Sequence, residues 1–462
     1  MCVSGESFSY DNMTIDSGWC KITKTIVPDA YTEVEHIALR QNAHVTFIDG
    51  QIKLMKPDFI RSWAEFMRLQ IYSTVDKAFA LGAAIVVLGF DDYAHVPNAK
   101  HPTQRKRSNH VAALNFCAED ELPPSLPEDW NAAMRNRVFK TKVVGLIARN
   151  IAEKYKDHCK TLILDWVDKP RVYGKPMQLP SLFDRDDLKR GECDIKAFSW
   201  MHMDRPLLIE STDGDFLPMA LIQLEKSEQF GQDQMDLGQD WVPPTIFLHR
   251  MKTNIVTNKK RPAGSGSSKP TKREYEFVHV NRIRDTVQRE MICLPADQRN
   301  MSAMLFGLLV AITGCDFALN LPGIGPTKLW ALRAEHNAVA IGDTVRENPA
   351  SILLYFVIKI YTSVYKKYIQ TSVACRPDDP MDRLLALYGT IYNSIKNHAS
   401  QKPPRIMPWA PARMLAHIHN ALWTVQYWSQ LHEYPDPLSV DVNGTPMYGF
   451  ANIGGRVEFV GV

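Results

Sequence analysis

Four short apolar runs, each closing on or beside an acidic residue, dominate the hydrophobic pattern of the N-terminal half. They cover residues 44–49, 83–91, 161–165 and 206–213. Short runs that are apolar at almost every position are typical of parallel strands buried on both faces. Helical patterns lie between them, for example at residues 59–81 and 142–156. This alternation predicts an α/β layered domain.

The pattern becomes mostly helical from Met301 onward. Apolar residues at helical spacing predict helices at residues 303–313, 327–334, 349–369, 381–397 and 410–430. The last stretch, residues 440–462, is Gly-rich with short apolar alternations and receives no assigned role. We therefore expect a core of residues 1–300, a second element of residues 301–345, and a helical extension of residues 346–462.

A basic segment interrupts the core at residues 250–273, with eight Lys or Arg residues and no acid. Its Gly, Ser and Pro content predicts a mobile loop that joins strands at residues 245–249 and 275–280. A solvated surface loop is one interpretation. Contact of Lys259, Lys260 and Arg261 with a nucleic-acid backbone is the other.

Composition narrows the class of protein. The 462 residues are 45% hydrophobic and 23% charged, which is the range of soluble globular proteins. A net charge of +3 is too small to indicate a nucleic-acid binder, so any basic surface must be local. The eight cysteines include no C-x-x-C pair, which predicts free thiols and no zinc site.

The hydropathy of the chain and the pattern of its first residues allow a prediction of the cellular compartment. No apolar run approaches the roughly 20 residues of a membrane span, and no signal-peptide pattern is present. We therefore expect a soluble intracellular protein of the nucleus, the cytoplasm or a viral replication compartment, without membrane contact.

Two acidic doublets, Glu192-Cys193-Asp194 and Asp213-Gly214-Asp215, lie 21 residues apart. One helix-plus-strand unit between them would bring both to the same sheet edge. A single Asp-x-Asp is usually a pair of hydrated loop acids, but two doublets bracketing one such unit are rarer by chance. Acids crowded at one edge repel one another unless cations bind. Carboxylate oxygen is the ligand that Mg²⁺ prefers, and two such ions suit phosphodiester hydrolysis.

A second motif joins Gly314-Cys315-Asp316 to Leu321-Pro-Gly323-Ile-Gly325-Pro-Thr327-Lys328. An apolar helix ends near Gly314, and a tight turn then opens a new helix with Pro326 at its first position. A bare Gly-x-Gly is more often an ordinary helix–helix turn. With Pro326, Lys328 and the upstream acid, the motif favours a phosphate-binding turn made of backbone N–H groups.

The order of these motifs resembles the flap-endonuclease superfamily of structure-specific 5′ nucleases, over residues 40–335. The resemblance implies a three-layer, PIN-like nuclease core with a mainly parallel central sheet, and an arch or gateway at about residues 93–160. It also implies a helix-two-turn-helix element that grips duplex DNA through a monovalent cation such as K⁺.

The resemblance assigns roles residue by residue. Ligands of two Mg²⁺ ions, for which Mn²⁺ can substitute, would be Asp49, Asp91, Glu192, Asp194, Asp213, Asp215 and Asp316. Asp92 competes with Asp91, and Asp165 is an unassigned acid at a strand end. The arch residues that hold the scissile phosphate would be Lys100, Arg105, Lys106 and Arg107, each with a plain solvated face as the alternative. The duplex would be bound by Gly323, Gly325, Thr327 and Lys328.

The expected function is two-metal hydrolysis of DNA with a 5′ end, flap or branch. Two alternatives stay open: a 5′→3′ exonuclease acting on RNA or DNA with the same core, and a non-catalytic nucleic-acid-binding homologue. The sequence also departs from the family. Cys2 replaces the family's glycine, the first aromatics after Asp49 are Phe59 and Trp63, and no sliding-clamp motif is recognisable.

One C-terminal segment, with Trp423, Tyr427 and Trp428, vaguely resembles the tails of 5′→3′ exonucleases from large DNA viruses. An aromatic helix packed on the core is the stronger interpretation.

Overall fold

The computed structural model describes most of the chain. The described residues are 16–32, 39, 43–56, 58–92, 122–167, 169–184, 191–201, 203–236, 241–251, 275–291, 301–315, 324–331, 333, 349–366, 369, 380–397, 411–431, 441–442, 445–446, 450–453 and 456–459.

The centre of the fold is an eight-stranded mixed sheet in the order β1-β8-β7-β6-β2-β3-β4-β5. Its strands are β1 Tyr31–Thr32, β2 Val45–Asp49, β3 Ile85–Gly89, β4 Thr161–Asp165, β5 Arg171–Gly174, β6 Leu207–Glu210, β7 Ile246–Met251 and β8 Tyr275–His279. Every pairing among β7, β6, β2, β3 and β4 is parallel, and the outer pairings are antiparallel. The predicted parallel α/β sheet is therefore confirmed at the centre, within a mixed sheet.

The three inner strands β2, β3 and β4 are buried at every position, which explains their continuous apolar sequences. Successive side chains alternate between the two faces. Phe47 belongs to one large hydrophobic cluster and its neighbour Ile48 to another. The sheet thus separates two apolar cores, each covered by helices.

The helices of the N-terminal half are α1 Asp16–Ile26, α2 Gly50–Lys53, α3 Trp63–Phe66, a π-helical segment Met67–Tyr72, α4 Ser73–Ala80, α5 Trp130–Arg135, α6 Arg137–Tyr155, α7 Cys193–Phe198 and α8 Phe216–Asp236. Those that follow are α9 Val280–Glu290, α10 Ser302–Thr313, α11 Pro326–Ala331, α12 Pro349–Val364, α13 Pro380–Asn397 and α14 Pro411–Ser429. Within the described ranges, no helix is both long and apolar enough for a membrane crossing.

The predicted helices are present, with shifted ends. Helix α6 begins at Arg137 rather than at residue 142, because the Asn136 side chain caps it by accepting from the Val138 and Phe139 N–H groups at 3.0 and 3.2 Å. Helix α7, Cys193–Phe198, is the helix expected between the two acidic doublets. Helix α1 and the edge strands β1 and β5 were not predicted.

Helix α14 packs into the larger core beside α10 and α8. Trp423, Tyr427 and Trp428 are buried in it, and Gln223 of α8 donates to the Trp428 carbonyl. The interpretation of an aromatic helix packed on the core is confirmed. The tail adds two antiparallel pairs, β9 Asp441–Val442 with β10 Thr445–Pro446, and β11 Phe450–Ile453 with β12 Arg456–Phe459.

Candidate metal centre

The carboxyl ends of the parallel strands meet at one edge, where the acids that end the apolar runs come together. Asp49 pairs in register with Gly89, which itself pairs with Asp165, and Ile48 pairs with Glu210. Open α/β sheets bind their ligands at this edge. We call it the carboxyl edge.

Asp49 is buried at the end of β2 and holds two hydrogen bonds. Its Oδ1 accepts from the Gln51 N–H at 2.9 Å as the cap of α2, and its Oδ2 accepts from Ser211 Oγ at 3.0 Å. Burial, followed by the charges of Asp91, Asp213 and Asp194, raises the pKa of Asp49 to about 7, against a lowering by Ser211. Four carboxylates from four segments thus share one electrostatic environment.

Asp91 links the end of β3 to the start of α7. Its Oδ1 accepts from the Cys193 N–H at 2.7 Å, which holds the buried acids Glu192 and Asp194 at this edge. Asp92 is also buried, and its N–H donates to the Gly191 carbonyl at 2.6 Å. Asp91 is the acid whose charge most raises the pKa of Asp49, which favours it over Asp92 as a member of the cluster.

Two glycines allow these segments to approach so closely. A Cβ at Gly89 would lie 2.4 Å from the Phe47 ring and 2.9 Å from Cys193 Sγ. A Cβ at Gly50 would lie 2.4 Å from the Gly89 carbonyl oxygen. Since real Cβ atoms do not approach to such distances, both positions require glycine for α7 and β2 to pack at β3.

The second acidic doublet forms a turn between β6 and α8. The Asp213 N–H donates to Ser211 Oγ at 3.1 Å, and the Asp215 N–H donates to Asp213 Oδ1 at 3.0 Å. Asp215 is buried, while Asp213 is partly exposed. Ser211 therefore bridges Asp49 and the doublet.

Two further strand-end acids have cationic partners. Glu210 accepts from Lys53 Nζ at 2.5 Å and lies 3.8 Å from His249 Nδ1. Burial raises the pKa of Glu210, but hydrogen bonding to His249 and the charge of Lys53 outweigh it and lower the pKa to about 2. Asp165 accepts from Trp200 Nε1 at 3.2 Å, and its Oδ1 lies 3.9 Å from Lys196 Nζ. Asp165, unassigned from the sequence, is therefore a partner of a buried lysine.

One basic residue of this edge, Lys140, was not among the site residues predicted from the sequence. Lys140 lies near the start of α6 and is half-buried. Burial lowers its pKa, and the charges of Asp91 and Asp49 oppose that shift. Asn136 is a typical helix-capping residue, and this was the only sequence signal for a helix that begins at residue 137. A helix with that start includes Lys140, which lies near the acids.

The donor set agrees in kind with hard divalent cations. It consists of carboxylates, while burial, Asp49 and Asp91 raise the pKa of Cys193 well above its ordinary value and keep the thiol protonated. The spacing of these donor groups does not agree with a metal site in the same way. Among the residues that the structure describes, no three His, Cys, Asp or Glu side chains form a group that could hold a metal ion as placed.

Part of the glycine turn is described. Helix α11 begins at Pro326, and the Lys328 and Leu329 N–H groups donate to the Gly325 carbonyl at 3.1 and 3.3 Å. Thr327 and Lys328 are exposed. Among the described residues, no heavy atom lies within 4 Å of a Cβ at Gly325, so this part of the structure leaves the backbone there open.

Several predicted site residues lie outside the described residues. They are Lys100, Arg105, Lys106, Arg107, Lys259, Lys260, Arg261, Asp316 and Gly323.

No protein-family model matches this sequence, and no curated protein matches it.

Proposed function

We propose that this chain is a metal-dependent, structure-specific 5′ nuclease with a PIN-like core of the flap-endonuclease type. Its substrate would be DNA with a 5′ end, flap or branch. The observation that carries the proposal is the convergence of Asp49, Asp91, Asp194 and Asp213 at the carboxyl edge, which together with burial raises the pKa of Asp49 to about 7. Acids held this way are costly to the fold and suit a site that binds cations.

The proposed ligands divide into two groups, one for each ion. Asp49, Asp91, Glu192 and Asp194 would hold one ion, and Asp213, Asp215 and Asp316 the second. Two bound Mg²⁺ ions would supply positive charge to the attacking, phosphoryl and leaving oxygens of the phosphodiester. No three of the described side chains form a metal-binding group as placed, so binding an ion would require these carboxylates to move together.

The residues of the chain would orient both the acids and the substrate. Ser211 donates to the Asp49 carboxylate and accepts from the Asp213 backbone N–H, so it would hold Asp49 beside the second doublet. Lys140 supplies a positive charge beside Asp91 and Asp49, where the scissile phosphate would lie. Lys100, Arg105, Lys106 and Arg107 would add to this charge from the arch.

The glycine turn would set the cut position. Its open backbone at Gly325 and its exposed Thr327 and Lys328 suit a phosphate contact several base pairs from the acids, with K⁺ as the bridging cation. Phosphate contacts position a duplex without reading its bases. The enzyme would therefore select structure rather than sequence, and its binding would weaken steeply with salt.

The deciding experiment compares cleavage of a 5′-flap DNA duplex and a single-stranded RNA in Mg²⁺. Asp213→Asn should lower the cleavage rate on the order of 100-fold or more, because one carboxylate ligand of the two Mg²⁺ ions is lost. Glu210→Gln is the matched control, since Glu210 lies at the same edge but outside the cluster. It should stay within about twofold once the folded fraction is corrected.

Each outcome assigns a function. Cleavage of the flap that depends on Asp213 supports the proposal, and cleavage confined to RNA would identify the 5′→3′ exoribonuclease instead. Equal cleavage by the wild type and Asp213→Asn, or none by the wild type in Mg²⁺ and Mn²⁺, would overturn the metal assignment. The last result would leave a non-catalytic nucleic-acid-binding protein.

A further inference from the structure

Lys196 is a fully buried lysine in the helix that carries the first acidic doublet. Its Nζ donates to the Phe90 carbonyl at 2.6 Å and to the Trp166 carbonyl at 2.5 Å. The same Nζ lies 3.9 Å from Asp165 Oδ1. A lysine is rarely buried so completely unless its ammonium group has such partners.

The partners of Lys196 belong to the strand ends that form the carboxyl edge. Phe90 directly precedes Asp91, and Trp166 directly follows β4. The Asp91 side chain in turn accepts from the Cys193 N–H at the start of α7. Helix α7 is therefore fastened to the end of β3 on both sides of Asp194, by Lys196 at one end and by Cys193 at the other.

We propose that Lys196 is a positioning residue that aligns Glu192 and Asp194 with Asp91 for cation binding. The inference rests on the proposed function. Lys196 exerts two opposing effects on such a site. Its positive charge disfavours a nearby cation, whereas its hydrogen bonds hold the carboxylates in register. Alignment is the larger effect, because the contact with the Phe90 carbonyl fixes the segment that carries Asp91, and the contact with the Trp166 carbonyl fixes the neighbouring end of β4.

Lys160 offers a matched control within the same sheet. Its Nζ also donates to two backbone carbonyls, those of Phe79 at 2.7 Å and Ala83 at 3.1 Å. These carbonyls precede β3, so Lys160 ties the opposite, amino ends of the strands. The two lysines share a bonding pattern and differ in their distance from the acids.

The test measures Mn²⁺ affinity by the paramagnetic resonance of free Mn²⁺, and stability by thermal unfolding, in the full-length protein. Lys196→Met should weaken Mn²⁺ binding about 10-fold, the usual effect of removing a group that orients metal ligands. Lys160→Met should lose stability but keep Mn²⁺ affinity within about twofold. Lys196→Arg keeps the positive charge but replaces the ammonium group by a larger, planar guanidinium group. It should weaken Mn²⁺ binding about threefold.

The outcomes separate this inference from the proposed function. Tighter Mn²⁺ binding by Lys196→Met would show that Lys196 acts as a counter-charge, and unchanged Mn²⁺ binding by the same variant would remove the positioning role. If Lys196→Met does not fold, Lys196→Arg decides alone. A wild type that binds no Mn²⁺ would instead overturn the proposed function.

Discussion

The two edges of the central sheet are built from the same strands and treat charge in opposite ways. At the amino edge, Lys160 satisfies the carbonyls of Phe79 and Ala83 within the protein. At the carboxyl edge, Asp49 is buried among other carboxylates and its pKa rises to about 7. One edge is stabilised by its own side chains, whereas the other carries an unfavourable charge arrangement that a bound cation would relieve.

Only some of the acids at the carboxyl edge are crowded by other acids. Glu210 and Asp165 lie there too, and each has a lysine close by. The pKa of Glu210 falls to about 2 while that of Asp49 rises. Glu210 and Asp165 have lysine partners, whereas Asp49 is buried among other carboxylates, and this difference supports the proposed cation site.

The largest effect on the carboxyl edge is expected from the removal of Lys140. Lys140→Met should lower single-turnover flap cleavage about 100-fold at saturating Mg²⁺, because the positive charge that we propose to lie beside the scissile phosphate is lost. The same variant should bind Mn²⁺ more tightly, since a positive charge leaves the neighbourhood of Asp91 and Asp49. Quench-flow kinetics and Mn²⁺ titration measure the two quantities.

Lys142→Met is the control for this prediction, because Lys142 lies on the same helix and is also half-buried. It should change neither quantity by more than about twofold. Unaltered cleavage by Lys140→Met would show that this charge does not face the phosphate.

The strand ends and their acids were predictable because the signals are local. Continuous apolar runs reveal buried parallel strands, and their topology brings Asp49 and Asp91 to one edge. The partners of those acids were not predictable. Lys196 reaches Phe90 across 106 positions of sequence, and only the packed structure shows which acids a lysine neutralises. Asp165 and Asp49 therefore have the same sequence pattern, an acid that ends an apolar strand, but different charged neighbours in the structure.

A pair of glycine substitutions should test whether the carboxyl edge depends on close packing. Gly89→Ala should cost about 1–3 kcal/mol of stability, because its Cβ meets the Phe47 ring and Cys193 Sγ. The displaced α7 should also weaken Mn²⁺ binding about 10-fold, since Glu192 and Asp194 move with it. Chemical denaturation and Mn²⁺ titration follow the two effects.

Gly174→Ala provides the comparison at the amino edge. Gly174 has φ +75°, and a Cβ there would lie 2.3 Å from the Lys160 carbonyl oxygen. This variant should lose similar stability while its folded fraction keeps wild-type Mn²⁺ affinity and cleavage. Parallel losses of Mn²⁺ affinity in both variants would mean that any loosening of the sheet disturbs the acids.

The smallest expected effect is a pH dependence of stability that belongs to Asp49. Its ordinary pKa is 3.8 and its folded pKa is about 7, so the folded protein retains a proton over this interval that the unfolded chain releases. The stabilisation from that proton is complete below pH 3.8 and is lost as pH rises through about 7. In EDTA, the stability of the wild type relative to Asp49→Asn should therefore fall by about 1 kcal/mol or more between pH 4 and pH 7.5. Excess Mg²⁺ should reverse this trend, because the ionised form is the one that binds cations. A difference that grows with pH in EDTA would show that Asp49 is stabilised in its charged form, and the contrast between the two edges would lose its electrostatic basis.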